Sequence, residues 1–263
     1  MAEFTVDKQL LRQAFGTASG HYDDFAQLQR SVAYDLLQLS QLQNLYGNVL
    51  DLGCGTGFLT RLVQERYPSA RLVGMDIALM MLNKAQSKWA ANTRWLCADA
   101  EKLPLQKNSF DAVFSNLMLQ WCVNVPQVLN ECRRVLRQGG QLAISTFGPQ
   151  TLCELKQAWA QVDDYRHVND FQLAEQLQSL LEQHGWKNCR IEQCLHQLEY
   201  PTVLDLMKEL KGLGAHNVAA ERNKNLTGKA KLQKLIDNYP PASHSQNIIA
   251  SYEVIWVFAE ADK

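Results

Sequence analysis

Three glycines at alternate positions follow a short apolar strand near residue 50, in the sequence VLDLGCGTGF. They are Gly53, Gly55 and Gly57, and a helical pattern begins directly after them. Because glycine has no side chain, the backbone here can approach a ligand closely, at the carboxyl end of a strand and beside a helix N-terminus. The pattern therefore predicts a site for a nucleotide-like ligand.

Asp51 stands two residues before the first glycine and bears on which ligand fits. The spacing is G-x-G-x-G, whereas dinucleotide-binding proteins use G-x-G-x-x-G. A carboxylate at this position would repel a pyrophosphate but would pair with an ammonium group. We therefore expect S-adenosylmethionine, which carries an ammonium group, and keep a nicotinamide-dependent oxidoreductase as the competing interpretation.

Two further acids follow the next two predicted strands. Asp76 lies nineteen residues after Gly57, where such acids accept hydrogen bonds from ribose hydroxyl groups. Asp99 follows the third strand and is placed to accept hydrogen bonds from an adenine amino group. Because the carboxyl ends of parallel strands meet at one edge of a sheet, the acids should form a single site.

Apolar strands alternate with helical patterns through the middle of the chain. The strands are predicted at 49–52, 72–76, 94–97, 111–115 and 141–146. This alternation predicts an α/β fold, in which a mostly parallel, doubly wound sheet has helices on both faces. Further strands are predicted near 189–198 and at 251–258.

The chain divides into four predicted segments. A helical segment covers 1–46, the core covers 47–199, a helical insert covers 200–247, and the final core strand lies in 248–263. Both helical segments are candidate lids over the site. From 201 to 239 the insert holds seven Lys or Arg against four acidic residues, which makes it the only basic block of the chain.

The composition is that of an ordinary globular protein. The chain holds 26 Lys and Arg and 27 Asp and Glu, which disfavours binding of nucleic acid or an anionic membrane through a strong positive field. No apolar stretch reaches the roughly 20 residues of a membrane-spanning helix. Seven cysteines without a C-x-x-C pair predict reduced thiols in a cytoplasmic protein. No cluster has metal-ligand spacing, so we expect no metal requirement.

The segment from Val49 to Thr146 resembles the class I S-adenosylmethionine-dependent methyltransferases. The resemblance rests on DLGCGTG, on Asp76, on ADAEKLPLQKNSFDAVFSN and on the helix ending in VLRQGG. It implies a seven-stranded doubly wound sheet whose final strand, near 251–258, is antiparallel. It also implies that the cofactor pocket is lined by Asp51, Gly53, Gly55, Gly57, Asp76, Asp99, Ala100 and Asn116.

The loop after the fourth strand bears on the methyl acceptor. Enzymes that methylate base amino groups usually carry Asn or Asp, two prolines and an aromatic residue there, whereas this chain has NLML at 116–119. None of the cysteines follows a proline, as the nucleophilic cysteine of pyrimidine-carbon methyltransferases usually does. A base acceptor is therefore disfavoured, and an oxygen acid or a small activated carbon remains.

Three flanking stretches are similar to the malonyl-acyl-carrier-protein O-methyltransferases of biotin synthesis. They are FGTASGHYD at 15–23 with LQR at 28–30, NLMLQWC at 116–122, and LMKELKGLGA at 206–215. The similarity implies methylation of the free carboxylate of a malonyl thioester on acyl carrier protein, with S-adenosylhomocysteine as the second product. The alternatives are a methyltransferase for another small carboxylic acid or a quinone precursor, and a non-catalytic binding module.

Four residues are candidates for contact with the acceptor. A carboxylate is ionised at neutral pH, so it needs no general base. Tyr22, with His21 beside it, is expected to donate a hydrogen bond to the carboxylate or to order the cofactor. Lys211 or Lys208 is expected to hold the carboxylate as a point charge, where the family resemblance leads us to expect an arginine. The competing interpretations are that Tyr22 is an aromatic residue that packs a helix junction, that His21 is a polar turn residue, and that both lysines are solvated on a helix surface.

The basic insert suggests how a carrier protein would be recognised. Carrier proteins are strongly acidic, so a positive surface should meet them. An ordinary solvated pair of amphipathic helices explains the same charges equally well. We expect the protein to act as a monomer.

Overall fold

The computed structural model describes residues 7–89, 93–215, 228–242 and 247–262. A single sheet runs through the described chain. Its strands are β1 (Asn48–Leu52), β2 (Arg71–Asp76), β3 (Thr93–Cys97), β4 (Phe110–Asn116), β5 (Leu136–Phe147), β6 (Trp186–Tyr200) and β7 (Ile248–Ala261). The strand order is β3-β2-β1-β4-β5-β7-β6. The pairs among β1 to β5 are parallel, and β7 is antiparallel to both β5 and β6. The predicted seven-stranded sheet with an antiparallel final strand is confirmed.

Helices cover both faces of the sheet. They are α1 (Lys8–Ala18), α2 (Tyr22–Phe25), α3 (Gln27–Leu39), α4 (Phe58–Arg66), α5 (Leu79–Lys88), α6 (Val125–Val135), α7 (Cys153–Ala160), α8 (Ala174–Gln183), α9 (Val203–Gly212) and α10 (Lys229–Asn238). No helix among the described residues combines the length and apolar character needed to cross a membrane.

The central strands have apolar side chains on both faces of the sheet, and helices cover both faces, so two apolar cores form. On one face, Val32 and Leu36 of α3 and Leu62 of α4 pack against the sheet. On the other face, Leu129 of α6 and Leu177 of α8 do the same. Strands buried on both faces are the mark of a parallel sheet with helices on each side, as the alternation in the sequence predicts.

The site is set by the point where the strand order reverses. β1 pairs with β2 on one side and with β4 on the other, so the chain leaves their carboxyl ends in opposite directions. A crevice opens at such a reversal, and ligands of open α/β sheets bind there. Gly53 follows β1 and Asn116 ends β4, so both lie at this crevice.

Strands β6 and β7 are longer than the sequence predicts. They pair continuously from Trp186 with Ala261 to Tyr200 with Ile248 apart from one bulge. The apolar content of the segment at 186–200 is patchy, so its ends do not stand out in the sequence. The antiparallel pairing extends the strand beyond its apolar core. The boundaries predicted for the four segments stay a prediction.

Candidate active site

A cavity of about 940 Å³, solvent at its mouth included, opens at the carboxyl ends of the first four strands; we call it the cofactor cavity. Of the residues predicted from the sequence, it is lined by Tyr22, Gly53, Gly55, Asp76, Asp99, Ala100 and Asn116. A smaller space of about 440 Å³, the loop pocket, adjoins it under the glycine loop. Asp51 lines the loop pocket together with Gly53 and Gly55. The structure thus brings the three predicted acids to one site.

The three glycines have different tasks. All three have a positive φ angle, with values of 73° at Gly53, 53° at Gly55 and 82° at Gly57. A Cβ atom at Gly53 would lie 2.2 Å from Cγ of Met118, and one at Gly57 would lie 2.7 Å from Trp89, whereas one at Gly55 would meet nothing within 4 Å. Gly55 therefore faces open space. Gly57 lines neither the cofactor cavity nor the loop pocket and is the N-cap residue of α4.

Asp51 is buried, with 2% of its surface exposed. Its Oδ2 accepts a hydrogen bond of 2.5 Å from Thr60 Oγ1, but its Oδ1 has no partner among the described residues. Burial raises the pKa of Asp51 to about 7, although the Thr60 hydrogen bonds oppose the shift. A buried carboxylate oxygen without a donor is costly. Its position in the loop pocket fits a positively charged nitrogen.

Asp76 is fixed by the backbone around it. Its Oδ2 accepts from the Gly55 amide at 2.9 Å and its Oδ1 from the Ala78 amide at 2.8 Å. Burial raises the pKa of Asp76, and these backbone hydrogen bonds limit the rise. The Ile77 backbone also contributes a hydrogen bond, and the carboxylate keeps some unused acceptor capacity, which ribose hydroxyl groups need.

Asp99 is tied to the N-terminal helix. Its Oδ2 accepts from Lys8 Nζ at 2.7 Å and its Oδ1 from the Glu101 amide at 3.0 Å. Burial acts to raise the pKa of Asp99, but Lys8 and the Glu101 amide outweigh it and hold the pKa below its ordinary value. Lys8 also contacts the Glu101 carboxylate at 2.8 Å. These bonds hold α1 across the adenine end of the predicted site.

A second tie holds α2 over the glycine loop. Thr56 Oγ1 donates to Asp23 Oδ1 at 2.7 Å, and Lys88 forms an ion pair with the same carboxylate. Arg30 Nη1 donates to the Asp23 carbonyl oxygen at 2.8 Å and lines the loop pocket. These contacts fasten α2 over the glycine loop, and the role of the N-terminal helices as a lid stays a prediction.

Tyr22 and His21 are neighbours in the chain with different surroundings. Tyr22 lines both the cofactor cavity and the loop pocket. Burial, reinforced by Asp76 and Asp23, raises the pKa of Tyr22 well above its ordinary value, so its hydroxyl stays protonated and can donate. His21 is exposed, packs edge-on against Phe25 and lines none of these cavities.

A third space, the distal cavity, continues from the cofactor cavity and measures about 660 Å³. The residues that line both are Gln29, Gln120, Trp121, Phe147, Leu213 and Ala215. Farther in, the polar lining includes Asn169, Glu209 and His167. The His167 ring stacks on Trp159 and bonds the Asp163 carboxylate at 2.7 Å.

The predicted lysine clamp is not found in these cavities. Lys208 and Lys211 are exposed on α9 and line none of the three described spaces. The reason is the 3.6-residue repeat of the helix, because α9 turns Glu209, Leu210 and the following Leu213 toward the distal cavity. Lysines one or two positions away therefore point outward. A role for either lysine in holding the acceptor carboxylate finds no support in this arrangement.

Lys8, Gln29 and Arg30 are among the polar lining residues that the sequence analysis did not identify. Gln29 and Arg30 belong to the LQR stretch that carries part of the family resemblance, which is the only signal that pointed to them. Their place at the site depends on how α1 and α3 pack on the sheet edge. Within the described ranges, no group of three or more His, Cys, Asp or Glu side chains is placed to hold a metal ion.

Comparison with known proteins decides the family. Residues 50–144 match the model of a methyltransferase domain. A malonyl-[acyl-carrier protein] O-methyltransferase of Gallionella capsiferriformans is 38% identical over 97% of this chain and 91% of its own length. The chain belongs to the malonyl-[acyl-carrier protein] O-methyltransferase family.

Other relatives of this O-methyltransferase family are longer. A biotin biosynthesis bifunctional protein BioHC of Cellvibrio japonicus is 41% identical over 96% of this chain, which spans half of that relative's length. The solved structure of the YcgJ protein of Bacillus subtilis has a TM-score of 0.63 at 18% identity, covering 88% of this chain and 99% of that one. The latter likeness shows the shared fold.

S-adenosylmethionine, the cofactor of this methyltransferase family, fits the residues present. Asp51 offers an unpartnered oxygen to its ammonium group, and Gly55 leaves open space beside the loop. Asp76 and Asp99 line the same cavity, and their contacts with the ribose and the adenine amino group stay predictions. The family match confirms the cofactor prediction, and the nicotinamide alternative is not favoured.

Proposed function

We propose that this protein transfers a methyl group from S-adenosylmethionine to the free carboxylate of a malonyl thioester on acyl carrier protein. The products are the methyl ester, which primes pimeloyl synthesis for biotin, and S-adenosylhomocysteine. The observation that carries this proposal is the distal cavity, which continues from the cofactor cavity past Trp121 and Phe147. It gives an acyl chain a route to the cofactor in a family named for this reaction.

The chain's residues serve this reaction by position and by excluding water. S-adenosylmethionine supplies an electrophilic methyl group when it is bound. Asp51, Asp76 and Asp99 would hold its charged and polar ends. Tyr22 lies at the junction of the cofactor cavity and the loop pocket, where its hydroxyl would donate a hydrogen bond to the acceptor carboxylate or order the cofactor. The negative carboxylate and the positive sulfonium lose their charges as the methyl group is transferred, so water would stabilise the separated ions more than the transition state. Apolar lining residues such as Trp121 exclude water and therefore favour the reaction.

Tyr22→Phe is expected to lower kcat/KM for the malonyl thioester about fivefold, because one hydrogen bond is worth about 1 kcal/mol. The fold should be unaffected, since the hydroxyl has no hydrogen-bond partner among the described residues. Steady-state kinetics and thermal melting measure the two effects. Tyr34→Phe, at an exposed tyrosine of α3, is the control. Unchanged kcat/KM in Tyr22→Phe would leave Tyr22 as a packing residue.

We propose that α10 contributes to carrier-protein docking. Lys229 and Lys234 are exposed on this helix. Lys231 instead pairs with Asp163 at 2.7 Å and lies over the Tyr165 ring, so it fastens α10 to the loop after α7. Two further basic residues of the insert, at positions 222 and 224, lie outside the described residues.

Reversing the charge in Lys229→Glu/Lys234→Glu should raise KM for malonyl-acyl carrier protein by about threefold to tenfold, and more at low salt, because exposed charges mainly steer association. KM for malonyl-coenzyme A should change far less. Lys107→Glu, at an exposed lysine before the amino end of β4, is the control and is compared with Lys229→Glu alone. Equal losses on both thioesters would remove the docking proposal.

The choice of acceptor is tested by comparing kcat/KM for free malonate, malonyl-coenzyme A and malonyl-acyl carrier protein. We expect the carrier-protein thioester to be the best substrate. Preference for free malonate or for a quinone precursor would favour the alternative small-acceptor enzyme. The seven free cysteines support a reducing compartment such as the cytoplasm. The monomeric state and the lack of a metal requirement stay predictions.

A further inference from the structure

Gln29 of α3 lies where the three spaces of the site meet. It lines the cofactor cavity, the loop pocket and the distal cavity, and no other described residue lines all three. Its main chain is fixed, because Asn116 Nδ2 donates to its carbonyl oxygen at 2.9 Å. Asn116 is itself held by Ser145 Oγ at 2.8 Å. The side chain therefore projects from an anchored point into the junction.

The side-chain amide of Gln29 has unused hydrogen-bonding capacity. Among the described residues, its buried Oε1 has no hydrogen-bond partner, and its Nε2 donates to none of them. Gln120, the other glutamine at the junction, is already committed, since it donates to the Leu117 carbonyl oxygen at 2.8 Å and accepts from Thr146 at 3.2 Å. A buried amide oxygen without a donor is costly. This argues that a ligand completes the Gln29 hydrogen bonds.

The charges around the junction suggest a neutral contact for the acceptor. No Lys or Arg among the described residues lines the distal cavity, and Lys8 in the cofactor cavity is paired with Asp99 and Glu101. A cation on the acceptor carboxylate would form a strong charge-assisted bond and make the attacking oxygen less nucleophilic. A neutral amide orients the carboxylate and leaves its charge to be balanced by the sulfonium.

We propose that Gln29 aligns the two substrates, with its Nε2 donating to the acceptor carboxylate and its Oε1 accepting from the cofactor's ammonium group. The second contact is suggested by the loop pocket, where Gln29 Oε1 and Asp51 Oδ1 are both buried oxygens without a donor. Gln29 would then recognise a carboxylate without a general base or a cation. This inference rests on the proposed function, because it presupposes a carboxylate acceptor.

Two substitutions separate the two contacts. Gln29→Glu keeps the shape and an acceptor oxygen but loses the N–H donor and adds a charge that repels the acceptor. Gln29→Met keeps the approximate shape and loses both contacts. Gln27→Glu, at an exposed glutamine of the same helix, is the control. Binding of S-adenosylhomocysteine by calorimetry and KM for malonyl-acyl carrier protein are measured near pH 8, with thermal melting to establish folding.

In Gln29→Glu, KM should rise about fivefold or more while the Kd for S-adenosylhomocysteine rises less than about twofold. In Gln29→Met, both KM and Kd should rise, each about threefold or more. A smaller rise of KM in either folded variant would overturn the acceptor contact, and an unchanged Kd in Gln29→Met would overturn the cofactor contact. A wild-type protein that binds S-adenosylhomocysteine but does not methylate malonyl-acyl carrier protein would instead refute the proposed function.

Discussion

Asp51→Asn is expected to raise the Kd for S-adenosylmethionine about a hundredfold near pH 8, because removing one partner of a buried charge pair costs about 2–5 kcal/mol. The substitution conserves the shape of the side chain, and one side-chain oxygen can still accept from Thr60. It removes the negative charge that the free Oδ1 presents to the ammonium group. Calorimetric titration measures the Kd. Asp24→Asn, at an exposed acid of α2, is the control.

The same substitution should change how the stability of the ligand-free protein depends on pH. Burial raises the folded pKa of Asp51 to about 7, whereas an unfolded Asp titrates near about 3.9. The folded state therefore binds more protons between these values, so the free energy of unfolding falls as the pH rises from about 4 to about 7. A shift of about three units corresponds to at most about 4 kcal/mol.

Urea unfolding of the ligand-free protein near pH 5 and near pH 8 tests this sign. The wild type should lose more stability than Asp51→Asn over that interval. Some loss remains in the variant because burial also raises the pKa of Asp76. Equal losses in the two proteins would mean that Asp51 carries no uncompensated charge, and an unchanged Kd would mean that it does not contact the ammonium group.

Gly53→Ala should lower the free energy of unfolding by about 2–5 kcal/mol. A non-glycine residue in the left-handed region costs about 1–2 kcal/mol, and overpacking costs about 1–3 kcal/mol. Both apply here, since φ is 73° and the new Cβ would lie 2.2 Å from Cγ of Met118. Because the loop must shift to relieve this contact, cofactor affinity should fall about tenfold or more. Chemical denaturation and calorimetry measure the two losses.

Two companion variants show which cause dominates. Gly53→Ala/Met118→Gly removes both Cγ and Cβ of residue 118, which would lie 2.2 and 2.5 Å from the new Cβ. It keeps the strained dihedral angle at residue 53, so it should regain cofactor affinity only in part. Gly55→Ala, where a Cβ meets nothing within 4 Å, should cost stability through φ alone and lose affinity by filling ligand space. Gly20→Ala, also without a close neighbour, is the control. A Gly53→Ala protein as stable as Gly20→Ala would contradict this account of the loop.

The sheet and the acids at its edge were predictable from the sequence because both depend on short-range patterns. Apolar strands alternate with helices, and parallel strands end at one edge, so Asp51, Asp76 and Asp99 meet there whatever the details of packing. The antiparallel final strand was predictable only through the family resemblance. The G-x-G-x-G spacing did not show that the three glycines differ. Only the structure shows that Trp89 packs on Gly57, whereas Gly55 faces open space.

The acceptor side was much less predictable because it is built by helices from outside the core. Residue type drew attention to Lys208 and Lys211, but the rotation of α9 about its axis sends Glu209 and Leu213 inward instead. That rotation is fixed by tertiary packing, such as the contact of Gly212 with Phe25. Gln29 is one of many glutamines in the N-terminal segment, and only its position at the junction distinguishes it.

Intact-protein mass spectrometry of acyl carrier protein tests the central claim most directly. Malonyl-acyl carrier protein and acetyl-acyl carrier protein are each incubated with this protein and S-adenosylmethionine. The malonyl form should gain the mass of one methyl group that mild base removes, in step with S-adenosylhomocysteine release, and the acetyl form, which has no free carboxylate, should gain none. Methylation of both forms, or of neither, would contradict a carboxyl methyltransferase acting on the malonyl group.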